Sequence, residues 1–180
     1  MQRPTVQQLF LEAEAFAPKA PTLPEIKATG VFEAGALWMG GCLAQIRETP
    51  GDHRLSASFT AYGYLKYGLA SGAAALWVLL TLMSDWMYLF PLGILVFYLV
   101  EVNFLFLFPI LLDGRQRPIS TSFRMTRNLG YIYVMKNLVA IAWRMLFGGF
   151  AGRGFKRSWL MGCLAVLFWY EKTNQEPMPG

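Results

Sequence analysis

The sequence predicts an all-α integral membrane protein, built as an antiparallel transmembrane helical hairpin with interfacial and amphipathic helices around it. Composition is the first reason: of 180 residues, 55% are hydrophobic, 16% aromatic and only 15% charged, with a mean hydropathy of +0.37. A soluble domain carries about 45–50% apolar and about 25% charged residues. The second reason is a pair of long apolar stretches, Tyr67–Ser84 and Trp86–Leu112, joined by Asp85 alone. The third is a set of basic residues gathered after the second stretch in a chain of net charge +5. In so apolar a chain that surplus points to anionic phospholipid and not to nucleic acid. Two cysteines, Cys42 and Cys163, exclude a disulfide framework and a Cys-rich metal module, and a single histidine, His53, removes most histidine chemistry.

Residues 1–30 read as a polar amino-terminal segment. Thr5-Val6-Gln7-Gln8 has the form of a capping box. Val6, Leu9, Phe10, Ala13 and Phe16 then recur at helical spacing, which predicts a short amphipathic helix. Pro18, Pro21 and Pro24 end it and favour an extended linker. Acidic groups and prolines interrupt these residues throughout, so no secretory signal is expected among them.

Residues 31–66 hold an interfacial helix and a turn. Val31–Ile46 is apolar and rich in small residues, with Glu33 and Arg47 placed to suit a helix dipole. Its 16 residues reach about 24 Å, short of a hydrocarbon core of about 30 Å, so it is buried or interfacial. Glu48-Thr49-Pro50-Gly51-Asp52 is a turn.

Residues 67–112 form the hairpin. Tyr67–Ser84 has 18 residues without a charge, and Trp86–Leu112 has 27 broken only by Glu101. Pro91 and Pro109 fall near the ends of the second span. Trp86, Met87 and Tyr88 make an interfacial anchor.

Residues 113–180 comprise a basic loop, amphipathic helices and a tail. The loop, Asp113–Asn128, carries Arg115, Arg117, Arg124 and Arg127. In Tyr131–Phe150, Lys136 and Arg144 share one helical stripe, while Leu138, Ile141 and Met145 face away. Ser158–Tyr170 is apolar and too short to cross. A four-span chain would set Arg153, Lys156 and Arg157 on the opposite side from the arginine loop. Two spans gather all of them, with Lys66 and Lys172, on one side and leave only the Asp85 turn across the membrane, in keeping with the cytoplasmic bias of basic loops. Two spans are favoured, with a third span carrying Arg144 toward protein as the alternative.

Three groups of residues are candidates for function. Glu101, Asn103 and Arg144 are the intramembrane polar contacts. An ionisable group in a span is costly and finds a partner, for which Arg144 or Lys136 is the expected cation within the chain, so Glu101 is a contact residue and not a catalyst. Gly68 and Gly72 form a GxxxG pattern for helix packing, repeated by Gly148 and Gly152. Arg115, Arg117, Arg124, Arg127, Arg153, Lys156 and Arg157 are expected to contact anionic headgroups. The hydroxyls of Ser120, Thr121 and Ser122 beside the arginines are open to phosphate or to helix capping. His53 lies in a polar turn, and Cys42 and Cys163 in apolar runs as core residues.

No P-loop, HExxH, CxxC or GxSxG occurs, and the sequence names no cofactor. The expected function is that of a non-catalytic structural or assembly subunit of a multi-subunit membrane complex, of energy-converting or secretion type. Its partners would be other membrane subunits, in a bacterial or organellar inner membrane. The alternatives are a small membrane enzyme acting on a lipid or quinone, and a transporter or channel subunit.

Overall fold

Residues 3–24, 30–49, 58–150 and 154–174 are described by a computed structural model. Among them 83% are helical and none lies in a strand. Helix α1 (Val6–Phe16) opens on its capping box: the Gln8 amide donates to Thr5 Oγ1 at 3.3 Å and the Thr5 amide to Gln8 Oε1 at 2.9 Å. The proline stretch that follows docks on helix α2 (Val31–Ile46), where the Trp38 indole donates to the Pro21 carbonyl at 2.8 Å.

Helix α3 (Phe59–Leu82) begins eight residues before the expected Tyr67. The sequence reading stops at Lys66 because a bare ammonium does not belong in hydrocarbon. In the folded chain that charge is neutralised, and the helix runs back to Ser58, whose hydroxyl accepts from the Ala61 amide at 3.3 Å.

The second apolar stretch is a chain of short pieces and not one helix. A 3-10 segment (Met87–Leu92) leads into α4 (Gly93–Glu101), a further 3-10 turn (Val102–Phe104) and α5 (Leu107–Leu112). Pro109, the third residue of α5, cannot donate to the Leu105 carbonyl, and its ring crowds that group. The break accordingly falls at Leu105–Phe106. Helix α6 (Pro118–Leu129) supplies partners for backbone carbonyls beside it: Ser122 Oγ donates to Asn103 O at 2.7 Å and Thr126 Oγ1 to Val102 O at 3.0 Å. Irregular backbone beside the break is thereby satisfied by Ser and Thr side chains.

Most of the expected basic loop is therefore helix. Pro118 fits the first helical position, where no N–H is required. Thr121, Ser122, Met125, Thr126 and Leu129 turn inward, and Phe123, Arg124 and Arg127 outward.

Helices α7 (Tyr131–Gly148) and α8 (Phe155–Asn174) complete the chain. Helix α8 is longer than the predicted Ser158–Tyr170 and is the centre of the core, not an interfacial segment. Leu164, Ala165, Leu167, Trp169 and Tyr170 are buried among α1, α2, α5, α6 and α7, and the Trp169 ring meets Phe106 and Tyr133 edge-on at 5.4 and 5.7 Å. A second group, Phe59, Phe104, Leu107 and Leu111, closes α3 against α5.

Two helical stretches, Phe59–Leu82 and Met87–Leu112, are long and apolar enough to cross a membrane. They differ in cover: 17% of the most apolar window is buried in the first and 44% in the second. From Leu76 to Leu99 the chain exposes Leu79, Leu80, Met83, Trp86, Tyr88 and Ile94, each more than half exposed.

Candidate functional site

Glu101 ends α4, and its carboxylate meets Lys66 of α3 with Nζ to Oε1 at 3.2 Å. The side chains are 6% and 13% exposed, so the two charges are shielded together. The Lys66 ammonium also lies 5.0 Å from the Tyr67 ring centre and 5.5 Å from that of Phe108, within cation–π range. The arrangement carries no net charge and ties α3 to α4.

This corrects the expected partner. Arg144 does not reach Glu101; its guanidinium lies 4.9 Å from the centre of the Phe10 ring, on the exposed side of α7. Lys136 is exposed on the same helix, while Leu138 and Ile141 are buried. The missed signal was register. Lys66 stands 19 residues before Asp85 and Glu101 stands 16 after it, so a chain folding back at Asp85 brings them near each other.

Asn103 is consumed locally. Its Nδ2 donates to Leu99 O at 3.0 Å, and its Oδ1 accepts from the Tyr131 hydroxyl at the start of α7. Two of the three hydroxyls beside the arginines are likewise taken, with Ser120 donating to Arg117 O at 3.2 Å and Ser122 to Asn103 O. These two serve the backbone.

The glycines divide sharply. A methyl group added at Gly68 or Gly72 would meet nothing within 4 Å, so neither packs against another helix of the chain. The close approaches lie elsewhere: a Cβ at Gly148 would stand 2.8 Å from Ser158 Oγ, one at Gly162 2.2 Å from Met145 Sδ, and one at Gly63 2.6 Å from the Phe32 ring. Among the described glycines of the two GxxxG patterns, Gly148 makes its contact inside the chain, against α8. Gly152, Arg153 and His53 lie outside the described residues.

The basic residues separate into three settings. Arg117, Arg124 and Arg127 line an open hollow of about 1020 Å³ with Tyr62 and Tyr131. Lys156, Arg157 and Arg144 line a larger groove of about 1350 Å³ on the face formed by α1, α2, α7 and α8. Arg115 is drawn into an internal network, with Nε 3.7 Å from Asp113 Oδ2 and Nη2 donating to Asn174 Oδ1.

That network was not legible in the sequence. Arg47, just past the end of α2, donates from Nη1 to Asp113 Oδ1 at 2.7 Å and from Nε to Glu171 Oε1 at 3.0 Å. The Tyr170 hydroxyl donates to Asp113 Oδ2 at 2.5 Å. Hydrogen bonding to Glu171 holds the Arg47 guanidinium well above its usual value, whereas burial and then the Asp113 contact push Tyr170 up. One guanidinium thus locks α2, the end of α5 and α8 together. Nothing local pairs these three residues; only the tertiary fold does.

Cys42 is a buried free thiol in the core, and burial pushes it up to about 12. Cys163 on α8 is raised to about 12 by the same cause. Among the described residues no group of three His, Cys, Asp or Glu stands close enough to hold a metal ion.

Comparison with protein families, with characterised proteins and with solved structures gives no match to this chain.

Proposed function

We propose that the protein is an integral membrane subunit of a larger assembly, anchored by an antiparallel hairpin of α3 and the Met87–Leu112 stretch. The observation that carries this reading is the bare face of α3. Gly68, Gly72 and Ala75 follow one another along it, all exposed, with Leu76 and Leu79 each 57% exposed beyond. Small residues in such a row let a partner helix approach closely in lipid.

Contacts between the two stretches support the hairpin. Lys66 pairs with Glu101, the Trp77 indole donates to Leu89 O at 3.1 Å, and Gly93 lies under Val78. As the number rises on one strand of the hairpin it falls on the other. From Lys66 to Met83 the helix rises about 26 Å, close to one hydrocarbon thickness of about 30 Å. The ion pair then lies near the basal boundary of the bilayer, not at its centre, with Asp85 at the far boundary. Arg117, Arg124 and Arg127 stand on the basal side, where anionic headgroups are the natural partners. A bacterial or organellar inner membrane suits the chain.

Gly72→Leu tests the assembly reading. The chain leaves room for the side chain, and replacing a helical glycine raises helix propensity by nearly 1 kcal/mol, so folding should hold. The variant should stay in the membrane through alkaline extraction yet lose its high-mass form on native gels after mild-detergent extraction. A wild-type chain that runs alone, or an unchanged high-mass form in Gly72→Leu, would defeat the reading. Cysteines placed at Asp85 and Arg117 should label from opposite sides of sealed vesicles.

A further inference from the structure

The groove between α1, α2, α7 and α8 has a composition that the assembly reading does not use. Its lining is largely apolar, with Trp38, Trp143, Phe147, Leu160 and Met161 in it. Arg144, Lys156 and Arg157 also line it, all exposed, and Glu14 is the one acidic residue among the described residues of the lining. Lys156 and Arg157 occupy the first turn of α8, which holds no acidic residue. Cations there oppose the helix dipole, and the first N–H groups of the helix have no partner within it. A bound anion would reverse both penalties.

A separate observation falls at the same place. Ser158 is 5% exposed, and its hydroxyl has no hydrogen-bond partner among the described residues. It faces Gly148, and both residues line the groove, so an unsatisfied hydroxyl stands in the lining directly after Lys156 and Arg157 in sequence. Buried hydroxyls normally find a partner. The volume of about 1350 Å³ exceeds the roughly 300–1,000 Å³ of common small-ligand pockets and suits an elongated occupant.

We infer that this groove binds one anionic phospholipid, its phosphate held by Arg144, Lys156, Arg157 and the Ser158 hydroxyl and an acyl chain laid along Trp38, Trp143 and Phe147. The site is a discrete one on the helical body, distinct from the general attraction of basic residues to a membrane surface. Its geometry stands whether or not the α3 face takes a partner helix.

The test uses the full chain purified in a neutral detergent, with native mass spectrometry reading bound lipid. Phosphatidylglycerol should bind at one copy per chain and phosphatidylcholine far more weakly. Removing two cations in Arg144→Gln/Arg157→Gln should weaken phosphatidylglycerol binding by about twenty-five-fold, each charge counting for about fivefold. Both side chains are exposed, so the variant should fold, and Ser158→Ala should weaken binding several-fold without changing the helix content seen by circular dichroism. Lys136→Gln, exposed on α7 and outside the groove lining, should bind as the wild type does. A loss per charge in Lys136→Gln equal to that in the groove variant would mean diffuse charge attraction and would overturn the site. Equal binding of the two lipids, or inorganic phosphate competing as well as the lipid does, would overturn it too.

Discussion

Breaking the Lys66–Glu101 pair from one side should cost far more than replacing both partners. At 3.2 Å the Coulomb attraction is about 5 kcal/mol with an effective dielectric near 20. The pair has also given up most of its water, since the side chains are 6% and 13% exposed. Lys66→Met leaves a carboxylate without its cation, and Glu101→Leu leaves an ammonium without its anion. Each single variant should lose about 3–5 kcal/mol, whereas Lys66→Met/Glu101→Leu should fall within about 1 kcal/mol of the wild type. The cycle then yields a coupling of at least about 5 kcal/mol, far above the 0.5 kcal/mol or so within which distant sites add. Glu101→Gln keeps a hydrogen-bond acceptor and should lie between wild type and Glu101→Leu. Unfolding by sodium dodecyl sulfate in mixed micelles, followed by circular dichroism, reads all five proteins on one scale. Single variants that each lose less than about 1 kcal/mol and add up in the double variant would refute a shielded pair.

Three further outcomes follow from the body of the fold. Arg47→Met strands Asp113 and Glu171 together and should lower stability by about 3 kcal/mol in urea unfolding, more than Arg124→Met, which touches no carboxylate in the described network. Thr126→Val removes the donor to Val102 O and should cost about 1–3 kcal/mol, with Ser122→Ala in the same range through Asn103 O. Cys42 and Cys163 should resist iodoacetamide at pH 8 in the folded protein and react promptly once it is denatured. With thiols near 12, only about one in ten thousand is thiolate at that pH. The folded thiols titrate above their unfolded value of about 8.5, so this contribution to stability is complete below about pH 8.5 and declines as pH climbs toward 12. Rapid alkylation of the native protein would contradict the burial of Cys42 and the desolvation of the half-buried Cys163 thiol.

Features governed by neighbours in sequence were readable, and those governed by distant partners were not. The capping box at Thr5 and Gln8 depends on residues three apart, and α1 formed as its pattern requires. Helix α2 spans Val31–Ile46, the bounds of the apolar run. Helix α6 was also within reach: Pro118 at the first position and the inward spacing of Thr121, Met125 and Leu129 are helical signals, with the arginines interleaved on the outer face. The start of α3 was different. Whether a helix can continue through Lys66 depends on the carboxylate at position 101, and no window of local hydropathy contains both.

The same distinction explains why Arg144 was the wrong cation and Lys66 the right one. Arg144 stands in the middle of an apolar segment, and a charge in that position invites pairing with the other conspicuous charge, Glu101. But position along a segment fixes only which face a residue shares, not which helix that face meets. Helix α7 turns Val134, Leu138 and Ile141 toward α8 and the core, which leaves Arg144 outward over Phe10. Lys66 sits at the edge of an uncharged run, where a charge is easily taken as the end of a span. Folding back at Asp85 is what places it opposite Glu101, and that same register leaves Gly68 and Gly72 on the uncovered face of α3. Two positions beyond the lysine that ties α3 to α4, the chain therefore presents its thinnest surface outward. The ion pair and the uncovered glycine face of α3 are consequences of one register.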